Sequence, residues 1–300
     1  MKILITGATG LVGKELVNKL LKKEYEINFL TTRKEALNSI EGCNGFLWNV
    51  KTQFIDKDCI ENVDTVIHLA GANVSKRWSS VYKKEILSSR INSSKLLHNL
   101  LKENKHSVTH FIGASAIGIY KDSLTNIYTE DSSDFSNSFL GEVVQKWEDS
   151  VEVISTLDIK ITKVRIGIVL AKNEGALKKI VQPISLGMGA PLGSGNQIMS
   201  WIHIDDLCEM LIFIISNNLL GVYNAVAPGP ISNKIITKEI ALSLQKPLWL
   251  PNVPKFMLKF ILGEMHEIIF ESQNVSSKKI INNGFVFKYE NIKDAIKSLL

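Results

Sequence analysis

The sequence predicts an α/β fold built on a doubly wound parallel sheet, with a smaller α/β region beside it. Three observations carry this. Strand-like and helix-like apolar patterns alternate through the first half, a glycine-rich turn follows the first strand, and Gly and Pro gather after about Arg165. Lys2–Thr6 is a short apolar run, and Val12, Leu16, Val17, Leu20 and Leu21 then fall on one face of a helix. Strands are expected at Glu26–Thr31 and Thr65–Leu69, and Leu96, Leu97, Leu100 and Leu101 predict a helix over Ser93–Lys105. Thr109–Ser115 and Ile161–Val169 complete the buried strands, with a helix at Glu142–Glu152 between them. Pro183–Gly195 reads as a loop above the sheet, followed by a helix from Asp205 and a strand at Gly221–Ala227. In the tail, Lys255–Leu262 and Asn291–Leu300 read as helices, and no internal repeat is visible.

Composition narrows the class. Hydrophobic residues make up 45% and charged ones 22% of the 300 residues, which excludes disordered, collagen-like and coiled-coil chains. The net charge is +5 and the pI about 8.9, but the lysines are spread along the chain without a basic stripe, so no nucleic-acid partner is expected. A Lys-rich surface or a basic pocket for an anionic cofactor accounts for the charge. Cys43, Cys59 and Cys208 are far apart, with no CxxC pair or Cys/His cluster, so neither a disulfide framework nor a metal site is predicted. The first strand begins at the N-terminus with no signal or transit peptide ahead of it, and Met210–Ile215 is too short to span a bilayer. These features predict a cytoplasmic protein without a membrane partner, and leave a homodimer open.

The turn Thr6-Gly7-Ala8-Thr9-Gly10-Leu11-Val12-Gly13 lies between the first strand and the first helix. There Gly7 permits a tight turn, Gly10 lets backbone approach a pyrophosphate, and Gly13 allows close helix–strand packing. Free N–H groups at the helix start would face the diphosphate of a dinucleotide. The residue closing the second strand selects the cofactor, an acid for the ribose of NAD and an arginine for the extra phosphate of NADP. This chain has Thr31-Thr32-Arg33-Lys34 and no Asp or Glu from Asn28 to Lys34, which predicts NADP. Residues 1–165 are accordingly read as the NADP-binding domain, also receiving 200–227. Residues 166–300 are read as mainly the substrate-side region.

The GxxGxxG spacing resembles that of the short-chain dehydrogenase/reductase superfamily, in its extended branch. Further strings narrow the resemblance: His68–Val74, Arg77-Trp78, Glu85–Arg90, Ala114–Gly118, Phe139–Val143, Pro191–Gly195 and Met199–Asp206. Together they are similar to an atypical group, the YfcH-like NAD(P)-dependent epimerase family, over the whole chain. Its C-terminal module would occupy about 247–300, with Leu262-Gly263-Glu264-Met265. The resemblance implies a Rossmann sheet and NADP binding. It places Thr32 and Arg33 at the adenosine phosphate, Asn49 near the adenine, Leu69, Ala70, Gly71 and Ala72 along the cofactor, and Arg77 reaching toward it.

Short-chain dehydrogenases use a Tyr-xxx-Lys pair as general acid/base, with an upstream Ser or Thr on the substrate oxygen. By resemblance Ser115 is that upstream serine. Phe139, however, stands where the tyrosine belongs, and Val143 where the lysine would meet the nicotinamide ribose. Phenylalanine cannot shuttle a proton. Glu142 is the expected replacement acid/base, with Tyr120 and His203 as further candidates, while Arg77, Arg90 and Arg165 could bind anionic groups. Tyr289-Glu290-Asn291-Ile292-Lys293 matches the motif only by chance of position. Two readings stay open. One is an NADP(H)-dependent oxidoreductase or epimerase acting on an unknown small molecule. The other is a catalytically impaired NADP(H)-binding scaffold or redox-responsive regulator.

Overall fold

Alternation along the first strand sets the layers of the molecule. In the computed structural model, which describes residues 1–300, Lys2–Thr6 forms β1, with Ile3 and Ile5 in one apolar cluster and Leu4 in another. The strands that follow are Glu26–Thr31 (β2), Cys43–Asn49 (β3), Phe54–Ile55 (β4), Thr65–His68 (β5), His110–Ala116 (β6) and Ile127–Tyr128 (β7). Next come Lys160–Ile166 (β8), Ile168–Ala171 (β9), Ile198–Met199 (β10), Trp201–His203 (β11), Gly221–Ala225 (β12), Ile231–Ser232 (β13) and Asn274–Val275 (β14). The helices are Leu11–Lys22 (α1), Ser80–Glu103 (α2), Phe139–Glu152 (α3), Gly175–Ser185 (α4) and Ile204–Ser216 (α5). They continue with Asn233–Ser243 (α6), Lys255–Leu262 (α7), Glu267–Phe270 (α8), Lys278–Asn282 (α9) and Ile292–Leu299 (α10).

Eight strands form the main sheet in the order β12-β8-β6-β5-β1-β2-β3-β4, parallel throughout except for the β3–β4 pair. One face is covered by α1 and α5, through Leu16, Val17, Leu20, Leu207 and Leu211. The other is covered by α2 and α3, through Leu96, Leu97, Leu100, Trp147 and Val151. Each such side chain contributes about 1.5–3 kcal/mol relative to exposure. A third cluster joins α4, α6 and α10 around the buried Trp201. No helix is long and apolar enough to cross a membrane.

Several elements differ from expectation, four of them instructively. The helix drawn at Ser93–Lys105 begins at Ser80, where the Ser79 hydroxyl accepts from the Tyr82 N–H at 3.1 Å. Its first half buries only Ile86, so no apolar period announces it. The single strand drawn at Ile161–Val169 breaks at Gly167, whose N–H turns to the Ala225 carbonyl, and β9 leaves the sheet to pair with β11. Pro183 lies inside the last turn of α4, so the loop begins after Ser185 rather than at Pro183. The strand β3 went unseen because, lying toward the edge, it buries only Trp48 fully.

Polar groups fix where β1 and β5 end. The buried Thr6 hydroxyl accepts from the Leu69 and Ala70 N–H groups, both at 3.1 Å, and meets His68 Nδ1 at 2.7 Å. On its other side, His68 Nε2 lies 3.0 Å from the Ser93 hydroxyl, which itself donates to the Arg90 carbonyl. The network therefore assigns the proton to Nε2, with Thr6 donating to Nδ1. Burial, reinforced by the Arg90 charge, pushes His68 down to about 3. Because the folded value lies below the ordinary 6.5, the unfolded chain takes up the proton first. Stability is complete above that value and falls with pH toward 3, by about 1.4 kcal/mol per pH unit for one group. His110 and His203, pushed by burial to about 4, act with the same sign. Urea unfolding across that window should therefore fall more steeply with acid for the wild type than for His68→Asn. Equal slopes would show that His68 is not held neutral.

Candidate functional site

The sheet order reverses between β1 and β5, which opens a crevice at the C-terminal ends of β1, β2 and β5. Gly7 turns the chain there with φ +75°, and the Gly10 N–H closes the turn on the Gly7 carbonyl at 2.9 Å. A side chain at Gly13 would sit 2.1 Å from the Gly7 carbonyl oxygen, so only glycine lets α1 start this close to the turn. The N–H groups of Leu11, Val12 and Gly13 have no hydrogen-bond partner within the chain, and no acid lies in the first turn of α1. Such a helix start suits a diphosphate. Thr9 is half-buried in the turn and Gly10 is exposed.

The walls of the crevice also carry predicted residues. Thr32 and Arg33 are exposed beyond β2, with Lys34 next and no ion pair to any of them. Across from them run the half-buried Leu69 and Ala70, the exposed Gly71 and the half-buried Ala72. Beneath Gly71 lies Arg90, whose guanidinium stacks over Trp147 at 4.9 Å and donates to the Ala72 and Ile86 carbonyls. No carboxylate pairs with it, and burial pushes it down to about 10. These residues fit a dinucleotide, with Gly10–Gly13 at the diphosphate and Arg33 at a ribose phosphate.

Other predicted positions have these surroundings. Asn49 is exposed and its side chain accepts from the Lys51 and Thr52 N–H groups, shaping the β3–β4 turn. Arg77 is exposed in the loop before α2, against Gly263 of the tail. Val143 is buried in an apolar cluster with Trp78 and Ile86. Glu142, expected as the acid/base, is exposed on α3 and pairs with no other side chain. Tyr289 stacks on His203 at 3.9 Å while Lys293 is exposed, so that chance motif is structural.

Ser115 requires the main correction. Its hydroxyl is buried and donates to Glu148 at 2.5 Å. That carboxylate is gripped in a fork by Arg165, whose Nε and Nη2 lie 2.8 and 2.9 Å away. Arg165 also donates to the Tyr120 hydroxyl at 2.9 Å, and Tyr120 donates to Asn224 at 2.7 Å. The pairing with Glu148 drives Arg165 above its ordinary range, against burial as the largest opposing effect. Ser115 and Tyr120 are thus committed to a buried ion-pair network, not to a substrate oxygen. The sequence carried a signal for this. Glu148 shares the buried face of Val144, Trp147 and Val151, at spacing i, i+3, i+4 and i+7, where a charge needs a partner.

The open space lies toward the start of α3. A cavity of about 470 Å³ separates the N-terminus of α3 from the C-terminal residues, with Phe139, Ser138, Lys83, Glu267 and Glu271 among its walls. Phe139 packs edge-on against Trp78 at 5.1 Å, and Lys83 Nζ stands 4.5 Å over its ring. None of these tail residues was expected from the sequence, and nothing local to Glu271 marks it out.

A parallel sheet with a glycine turn opening its first helix defines a dinucleotide-binding protein. The chain belongs to the NAD dependent epimerase/dehydratase family, which matches residues 3–225, while residues 253–299 match a domain of unknown function, DUF1731. It is 34% identical over 304 residues to the chloroplastic epimerase family protein SDR39U1 homolog of Arabidopsis thaliana, covering all of this chain and 87% of that one. An epimerase family protein of Staphylococcus aureus is 35% identical over 300 residues, covering 99% and 98% of the two chains. The crystal structure of human epimerase family protein SDR39U1 with NADPH superposes with a TM-score of 0.87 at 26% identity, covering 100% and 99%.

The buried pair generates a stability test. Glu148→Ala leaves Arg165 buried without its counter-charge and should cost about 3–5 kcal/mol in denaturant unfolding. Ser115→Ala should cost about 1–2 kcal/mol. Comparable small losses in both would contradict the fork.

Proposed function

We propose that the protein binds NADP(H) in preference to NAD(H) and uses it as an oxidoreductase or epimerase-like enzyme on a small-molecule alcohol or carbonyl. The observation that carries this is the conjunction of unpartnered N–H groups on Leu11, Val12 and Gly13 with an exposed, unpaired Arg33 where a carboxylate would favour NAD. The bound cofactor would supply the hydride. Gly10–Gly13 would hold its diphosphate, Thr32 and Arg33 its 2′-phosphate, and Ala70–Ala72 the length between. The human relative solved with NADPH supports the same choice.

A second reading, a cofactor-binding scaffold without turnover, draws on Ser115 being bound to Glu148 and on Phe139 replacing the proton-carrying tyrosine. The cavity beside Phe139 favours the enzyme.

Fluorescence titration separates the cofactors. NADPH should bind at least about tenfold more tightly than NADH, and Arg33→Asp should cancel that preference, a change of about 1.4 kcal/mol or more. Equal affinities in the wild type would overturn the NADP assignment.

A further inference from the structure

The missing tyrosine leaves α3 without a proton carrier, and the tail brings one to the same cavity. The residue after α8, Glu271, is half-buried in the wall that faces Ser138 and Phe139. Its position is fixed by backbone: the Glu271 N–H donates to the Glu267 carbonyl at 2.9 Å, and the Ser272 N–H to the Asp122 carboxylate at 2.7 Å. The Ser123 N–H donates to the Ser272 carbonyl at 2.8 Å, and the Gln273 amide to the Tyr120 carbonyl at 2.8 Å. The Ser138 hydroxyl accepts from the Gly141 N–H and from Ser136, and it shares the cavity wall with Glu271.

We propose that Glu271 is the acid–base group of this cavity, giving to a substrate oxygen the proton that Phe139 cannot. The inference rests on the enzymatic reading above. In the reducing direction, hydride from the dihydronicotinamide of NADPH forms the new C–H bond at a carbonyl carbon. The carbonyl π pair moves to oxygen, and the O–H bond forms with the proton of Glu271. The carboxylate left behind takes a proton from water in the cavity, and the oxidised cofactor leaves.

The surroundings suit that exchange. Burial, with the Glu267 and Asp122 charges, pushes Glu271 up to about 7 against the hydrogen bond from Ser138. The nearby cations are engaged elsewhere: Lys83 pairs with Glu264 at 2.6 Å, and Lys255 stands over the Phe270 ring at 5.3 Å. The carboxyl can therefore hold or release its proton near neutral pH.

The test uses the full chain, wild type and Glu271→Gln. Each is titrated with NADPH by fluorescence, then assayed for NADPH oxidation against 9,10-phenanthrenequinone and a panel of aldehydes and ketones between about pH 5.5 and 8.5. NADPH affinity should be unchanged, while kcat falls by roughly 100-fold in the variant. Wild-type kcat should decline as pH rises through about 7, and the variant should be flat. Glu271→Asp should recover part of the rate together with the pH dependence, and it carries the test if the glutamine variant does not fold. Wild-type turnover that both variants keep, with the same pH profile, overturns the assignment alone. Wild-type protein that binds NADPH and oxidises it with no member of the panel overturns the enzymatic reading, and the assignment with it.

Discussion

One hydroxyl holds the crevice together. Thr6 accepts from the Leu69 and Ala70 N–H groups while donating to His68, and this ties the ends of β1 and β5 at the point where the sheet order reverses. His68 extends the tie to Ser93 on α2. The glycine turn and the opposite wall thus keep a fixed separation, and α1 can begin with its N–H groups facing open space. The Thr6–His68 and His68–Ser93 bonds are buried, where a lost partner costs about 1–3 kcal/mol, so the arrangement resists sliding of one strand past the other.

Ser115 illustrates how a position can keep its residue type and lose its expected task. Strand β6 turns its side chain toward α3, and there Glu148 and Arg165 use it to complete a fully paired network. The buried Glu148 carboxylate accepts three hydrogen bonds, two from the Arg165 fork and one from the Ser115 hydroxyl. Such a site gains rigidity and loses proton mobility. The space where chemistry could occur is displaced toward the α3 N-terminus, between Phe139 and residues the tail contributes.

The fold was legible because its signals are local and repeated. The continuous apolar runs of β1, β2 and β5, the stripe of α1 and the glycine turn each follow from a few neighbouring residues. The first half of α2 and the edge strand β3 were not legible, since each is half-exposed and lacks an apolar period. The glycine turn and the Thr31–Lys34 stretch were legible, because each lies within a few consecutive residues. The opposite side was not. Glu148 and Arg165 sit seventeen positions apart, and Glu271 lies far from Ser138 along the chain, so only tertiary packing brings them together.

The tail is stitched into the nucleotide-binding part by hydrogen bonds to Tyr120, Asp122 and Ser123, by the β7–β14 pair, and by Ser200 contacts at Gln273 and Val275. Backbone atoms make most of these stitches, so they constrain shape more than side-chain identity. An exchange of tails between relatives would therefore carry across the cavity's chemistry while keeping its frame. The tail is thus mounted on the sheet chiefly through its backbone, which leaves the side chains it turns to the cavity free to vary.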